Sequence, residues 1–162
     1  MDSTPTPVRV ELFVRSLCPE GATRHQNYVL DRLQALEEAG AIEDLSVLIW
    51  GNRIEPDIAR RTPEGRRLLA RLSRFRKWAR DADASLDAFD WGHPVTNVAS
   101  DESLSVITLP TLALAEYVDD DLQHVAPCTR DGVAHRVTDR VDRLADATRP
   151  TDEPEREHTV VQ

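Results

Sequence analysis

Two cysteines, Cys18 and Cys128, are the residues of this chain best suited to covalent chemistry. Cys18 follows a strand-like run and precedes a helix-like one. A thiolate placed there would feel the positive end of the helix and lose pKa, which is how a thiol becomes a nucleophile. Pro110 is the second candidate for a catalytic site. It stands at the entrance of an apolar strand that would start at the same sheet edge as Cys18, and Leu109-Pro110 is expected in cis. The plain alternative is a loop cysteine without chemistry, in a fold used as a scaffold. Cys128 would close the last strand at that edge, two strand spacings or about 10 Å from Cys18. A disulfide needs Cα atoms within about 7 Å, so two free thiols are expected. His25 and His124 follow no zinc spacing, and neither a metal nor a cofactor is expected.

Binding chemistry is concentrated elsewhere. From Arg60 to Arg80 the chain carries nine basic residues against one acid, Glu64. The segment has a net charge of +8 in a chain whose total is −9, so the remainder carries −17. Arg66, Arg67, Arg71, Arg74 and Lys77 are the candidate anion- or partner-binding residues. Arg67, Arg71 and Arg74 lie at i, i+4 and i+7, on one helical face that could follow a phosphate backbone. A nucleic acid or an acidic protein surface would suit such a face. The competing reading is a solvated face paired with the protein's own carboxylates.

Ordinary elements must position these residues. Val8, Val10, Leu12 and Val14 alternate with Arg9, Glu11, Phe13 and Arg15, the period of a strand. Thr23 and Gln26 have the form of a capping box. Val29, Leu33 and Leu36 follow at helical spacing, and Gly40 marks the stop. Leu45, Val47 and Ile49 alternate again. Strand, helix, strand over this length is a right-handed βαβ unit with parallel strands. Thr62-Pro63 opens the basic helix, with threonine as cap and proline in the first turn. Its apolar stripe is Leu68, Leu72, Phe75 and Ala79, with Trp78 at the margin. Residues 81–103 read as a long, partly irregular loop. Leu112 to Ala115 is an unbroken apolar run, as in a strand buried on both faces. Asp119 to Asp121 supply a tight turn, and Leu122, His124 and Ala126 mark the returning strand. Val133, Val137, Val141 and Leu144 mark a last helix starting near Asp131. Residues 1–7 and the polar tail 148–162 read as disordered, leaving 8–147 as a single domain.

At 162 residues the chain suits one domain with a real core. It has no apolar run near the roughly 18 residues of a membrane span and no leader-like N-terminus. A cytoplasmic protein with no membrane partner is expected. Of its 20 basic residues only Lys77 is lysine, against 29 acids. Such a composition fits work in molar salt, where screening shortens electrostatic reach to about 3 Å.

The element order βαβαββα resembles the thioredoxin fold over residues 8–146. The residues that carry the likeness are Thr108-Leu109-Pro110-Thr111, similar to its cis-proline loop, and Phe13 followed five residues later by Cys18. It implies an α/β domain with a mixed four-stranded sheet, helices on both faces and sheet order 2-1-3-4. Thioredoxins carry Cys-x-x-Cys where this chain has Cys18-Pro19-Glu20-Gly21, so the activity implied is at most that of a monothiol oxidoreductase using Cys18. The whole chain also resembles small haloarchaeal proteins labelled HTH-domain proteins. FVRSLCPEGATRHQNYVLDRLQALEEAGAIEDLSVLIWG and LPTLALAEYVDDDLQHVAPC carry that likeness. Its label implies a DNA-binding regulator, and the missing second cysteine together with the segregated charge points to a regulatory or binding domain without enzymatic activity. Within it, Tyr28 to Val47 is similar to a winged-helix recognition helix running into its wing.

Overall fold

The computed structural model describes residues 7–17, 24–92, 95–97, 102–104 and 106–147. Cys18, Thr23, most of the 1–7 stretch and the 148–162 tail lie outside the described residues. In chain order the elements begin β1 Arg9–Val14, α1 Arg24–Glu38, β2 Asp44–Ile49, β3 Arg53–Ile54, α2 Pro56–Ala59 and α3 Pro63–Ala82. Next come four short strands, β4 Ala84–Ser85, β5 Val95–Asn97, β6 Glu102–Leu104 and β7 Ile107–Thr108. The chain closes with β8 Leu112–Val118, β9 Asp121–Ala126, β10 Cys128–Arg130, β11 Val133–His135 and α4 Val137–Ala147.

The principal sheet has four strands in the order β2-β1-β8-β9. β1 and β2 are adjacent and parallel, Val14 opposite Ile49. β8 runs antiparallel to β1, with Val14 opposite Leu112, and β9 returns antiparallel to β8. This is the expected mixed sheet in the expected 2-1-3-4 order. Helices cover both faces. Val10, Leu12 and Val14 of β1 pack with Leu112 and Leu114 against Val29 and Leu33 of α1 and Val137, Val141 and Leu144 of α4. Phe13, Ala113, Ala115 and Tyr117 face Leu72, Phe75 and Ala79 of α3. Because a strand's side chains alternate between faces, one period-two pattern feeds two cores. β1 and β8 are therefore buried almost throughout.

Each face also buries one carboxylate, and each is met by an arginine of the covering helix. Glu11 on β1 is 3% exposed and holds Arg71 of α3. Glu116 on β8 is 5% exposed and holds Arg140 of α4 through two bonds of 2.7 and 2.8 Å. Burying a carboxylate is tolerable only with such pairing.

Local signals placed several boundaries correctly. Thr62 accepts the Gly65 amide at 3.0 Å and Pro63 stands in the first turn of α3, the expected N-cap. Asp119 and Asp120 both take positive φ, 52° and 69°, and join β8 to β9 in two residues. Other expectations are corrected. The Leu109–Pro110 bond is trans; the cis peptide among the described residues is Ala126–Pro127. The segment expected to start the last helix at Asp131 is instead a hairpin, β10–β11, turned by Asp131 and Gly132, both at positive φ. Val133, expected on the helix stripe, is on β11 and exposed. β2 is a partly exposed edge strand.

Candidate nucleic-acid interface

The basic segment divides into a short helix, a turn and a long helix. α2 spans four residues, Arg60-Arg61-Thr62 turn the chain, and α3 continues for 20 residues, about 30 Å. The two helices pack closely where Gly65 lies on the backbone of Ala59. A side chain on Gly65 would run into the Ala59 carbonyl. Glycine at this point lets the turn be tight. One side of α3 is the buried stripe Leu72, Phe75 and Ala79; on the opposite side Arg66, Arg67, Ala70, Ser73, Arg74 and Lys77 are exposed.

The arginines of α3 do not act as one set. Arg71 is turned to the sheet, its Nε and Nη2 donating to the two Glu11 oxygens at 3.0 and 2.8 Å. Tyr117 adds its hydroxyl to Glu11 at 2.9 Å, and Arg9 approaches at 3.5 Å. Burial works to raise the Glu11 pKa. The hydrogen bonds from Arg71 and Tyr117 and the charges of Arg71 and Arg9 outweigh it and hold the carboxyl below its ordinary value. Arg74 donates to the Asp120 carbonyl at 2.7 Å and lies over the Tyr117 ring, as Arg9 also does. Arg9, Arg67, Arg71, Arg74 and Tyr117 thus ring a hollow of about 260 Å³ above Glu11. Lys77 pairs with Asp81 one turn on at 2.7 Å, and Arg60 with Asp57 at 2.8 Å. Among the described residues Arg61, Arg67, Arg76 and Arg80 form no ion pair.

Of the five candidate partner-binding residues, Arg66, Arg67 and Lys77 are exposed, Arg66 donating to the Arg60 carbonyl, Lys77 paired with the exposed Asp81, and Arg67 without an ion pair among the described residues. Arg71 is committed to the fold, and Arg74 is partly so. The i, i+4, i+7 spacing of Arg67, Arg71 and Arg74 does put them at one flank, but that flank borders β1 and β8. Sequence reasoning missed Trp91 and Arg76. Arg76 lies 4.9 Å from the Trp91 ring centre, and Trp91 stacks on Phe89 at 5.2 Å. Trp91 follows the end of α3 at Ala82 by nine residues, outside the helix's own periodicity, so no local signal joined it to Arg76.

The thiol candidates separate. Pro110 lies at the carboxyl end of β1, its carbonyl accepting from the Trp50 indole at 3.2 Å while Arg15 donates to the Leu109 carbonyl at 3.1 Å. Cys18, its expected neighbour, is outside the described residues. Cys128 is a buried free thiol whose pKa burial pushes up. It stands 3.9 Å from Nε2 of His124 and opposite His135 across β10–β11. Burial and the nearby positive charge of Arg140, His135, Arg130 and Arg143 push His124 down to about 3. The imidazole is neutral and the thiol protonated at neutral pH, so the pair is not an activated nucleophile. Among the described residues no group of three or more metal-binding side chains converges.

Tyr28 to Val47 does not form a winged-helix recognition unit. α1 runs into β2 by a short turn, and β2 pairs with β1 inside the principal sheet. The helix that packs on α1 is α4, from the far end of the chain. No described helix is long and apolar enough to cross a membrane. Comparison with known families matches residues 2–149 to one described as a helix-turn-helix domain. No curated protein and no solved structure matches the chain.

Proposed function

The chain belongs to this helix-turn-helix domain family, and on that premise we propose that it is a non-enzymatic, DNA-associated regulatory domain that meets nucleic acid through the outer face of α3. The observation that carries the reading is the exposed face Arg66, Arg67, Ala70, Ser73 and Lys77, on a long helix entered from α2 by a three-residue turn. A helix of this length lying across a groove brings cations to phosphates on both sides and small residues to base edges. Arg67 supports the reading most directly, since it is exposed and has no carboxylate of its own among the described residues. The acting unit in this proposal is 8–147 as one domain.

We also read the host as a high-salt one, on the strength of 29 acids, 20 basic residues and a single lysine. The charge separation then has a purpose. A chain of net −9 repels DNA at long range, but screening confines that repulsion to within about 3 Å at 1 M salt. Phosphate contacts by α3 also weaken as salt rises, through counterion release, so at molar salt base-edge contacts carry a larger share of the binding.

The test is a fluorescence-anisotropy titration of the full chain against a random duplex, across a salt series reaching molar KCl. Binding is expected, with log K falling linearly against log salt. Absence of binding at every salt concentration sinks the reading and leaves α3 to a protein partner or to a structural role.

A further inference from the structure

α3 has a second functional edge. Arg66, Leu69, Ser73 and Arg76 recur at i, i+3, i+7 and i+10 and so form one stripe along the helix. With Arg60 and Trp91 they line a cleft of about 480 Å³ between α3 and the Trp91 turn, within the about 300–1,000 Å³ usual for small-ligand sites. Two parts of this cleft are held in place. At one end the Arg66 guanidinium donates to the Arg60 carbonyl at 3.0 Å, while Arg60 holds Asp57. At the other end the Arg76 guanidinium caps a stack of Trp91 on Phe89, whose rings lie 6° from parallel. Phe89 is itself wedged edge-on between Trp50 and Phe75 of the core. The platform is therefore anchored, and both Arg76 and Trp91 line the cleft.

We propose that this cleft takes one nucleoside phosphate unit, the base stacking on Arg76 over the half-buried Leu69 and the phosphate lying on Arg60 and Arg66. A guanidinium is planar and weakly hydrated, which suits stacking as well as phosphate recognition. The proposal rests on reading α3 as facing nucleic acid, and it specifies the form: an unpaired nucleotide, because the bases of a duplex are stacked on each other and show only their edges. An acidic peptide would satisfy the arginines but leave the stack and the apolar floor unused. The unit could come from a single strand or from a free nucleotide.

The experiment compares the full chain with Arg76→Gln, Trp91→Phe and Lys77→Gln. The probes are a labelled single strand of mixed sequence, the corresponding duplex, and adenosine monophosphate. Arg76 is exposed and forms no ion pair among the described residues, so its substitution is expected to leave the fold intact, and Trp91→Phe keeps an aromatic ring in the stack. Arg76→Gln is expected to weaken the single strand by about 5- to 150-fold, the loss of one stacked base, and to change duplex binding by less than about 2-fold. Lys77→Gln is expected to weaken both forms alike. Direct binding of the monophosphate, measured by calorimetry, that Arg76→Gln abolishes supports the cleft; if it occurs without any strand binding, the ligand is the free nucleotide and the DNA reading falls alone. Duplex binding with no Arg76-dependent binding of single strand or monophosphate overturns the cleft and leaves the DNA reading standing. No binding of any probe overturns both.

Discussion

Arg71 and Glu11 lie 60 positions apart and form a two-bond pair, at 3.0 and 2.8 Å, across the interface of α3 and the sheet. The pair removes one arginine from the partner-binding surface and ties the basic helix to the core. Replacing Arg71 with Leu leaves Glu11 buried with only Arg9 and Tyr117 to compensate. That substitution is expected to cost on the order of 3 kcal/mol. The double variant Glu11→Leu, Arg71→Leu should lose much less, because two apolar groups remove the charge altogether. Denaturant titration of the four proteins of this cycle measures the coupling. Additive losses would show that the pair is not coupled.

The same carboxylate sets an acid limit. Glu11 is held below its ordinary pKa, so its stabilisation is full above the unfolded value of about 4.3 and is lost as pH falls through the lower folded value. Melting temperature against pH should therefore fall steeply below about pH 4.3, and Glu11→Gln should flatten that limb.

His124 adds a second, higher limb. Its folded pKa is pushed to about 3, while the unfolded imidazole titrates near about 6.5. The unfolded chain binds the extra proton between those values. Stability should be full above about pH 6.5 and decline as pH drops toward 3, by a few kcal/mol in all. His124→Leu should remove the slope between pH 6.5 and 4.5, above the Glu11 region, where the two effects separate.

Gly65→Ala tests the α2–α3 junction. On an exposed helix the change would add roughly 1 kcal/mol of helix propensity. Here the new methyl meets the Ala59 carbonyl, a backbone atom that cannot rotate away. A net loss of stability of about 1–3 kcal/mol is expected, with weakened duplex binding under conditions where the fold persists. A stabilised variant would show that the two helices are free to part.

The exposed cations should separate from the committed ones in salt dependence. Arg67→Ala is expected to reduce the log–log slope for duplex binding by about 0.9, one phosphate contact, and to change stability by less than about 0.5 kcal/mol. Lys77→Ala should do the same. Arg71→Leu should act chiefly through stability. Equal slopes for all variants would remove α3 from the phosphate contacts.

Thiol alkylation addresses the oxidoreductase reading. Cys128 is buried with a raised pKa, so the native chain should protect it until unfolding. A fast-reacting native thiol is then Cys18. A reaction pKa near the unperturbed 8.5 or so would end the case for an activated nucleophile there.

Much of the framework was readable along the chain. The alternation from Val8 to Arg15, the helical spacing of Val29 and Leu33, and the apolar run from Leu112 named the main strands and first helix, because side-chain period reports secondary structure over a few residues. Thr62-Pro63 fixed the start of α3, and Asp119-Asp120 the hairpin, for equally local reasons of capping and left-handed backbone. Element order then implied the sheet. The β10–β11 hairpin was hidden because its strands have three residues each, and Val133 fell by chance in register with the stripe of α4.

What the arginines of α3 do was decided only in three dimensions. Arg66, Arg67, Arg71, Arg74 and Lys77 are alike in sequence, each a cation in a basic helix. The partner of Arg71 is 60 residues away at Glu11, that of Arg74 46 away at Asp120 and that of Lys77 four away at Asp81, while Arg67 has no ion pair among the described residues. Packing α3 on β1 and β8 placed Glu11 under Arg71, and desolvation made that pairing obligatory. The same packing brought Trp91 beneath Arg76. A charge's sign and spacing are local properties, but its partner is set by which faces the fold buries together.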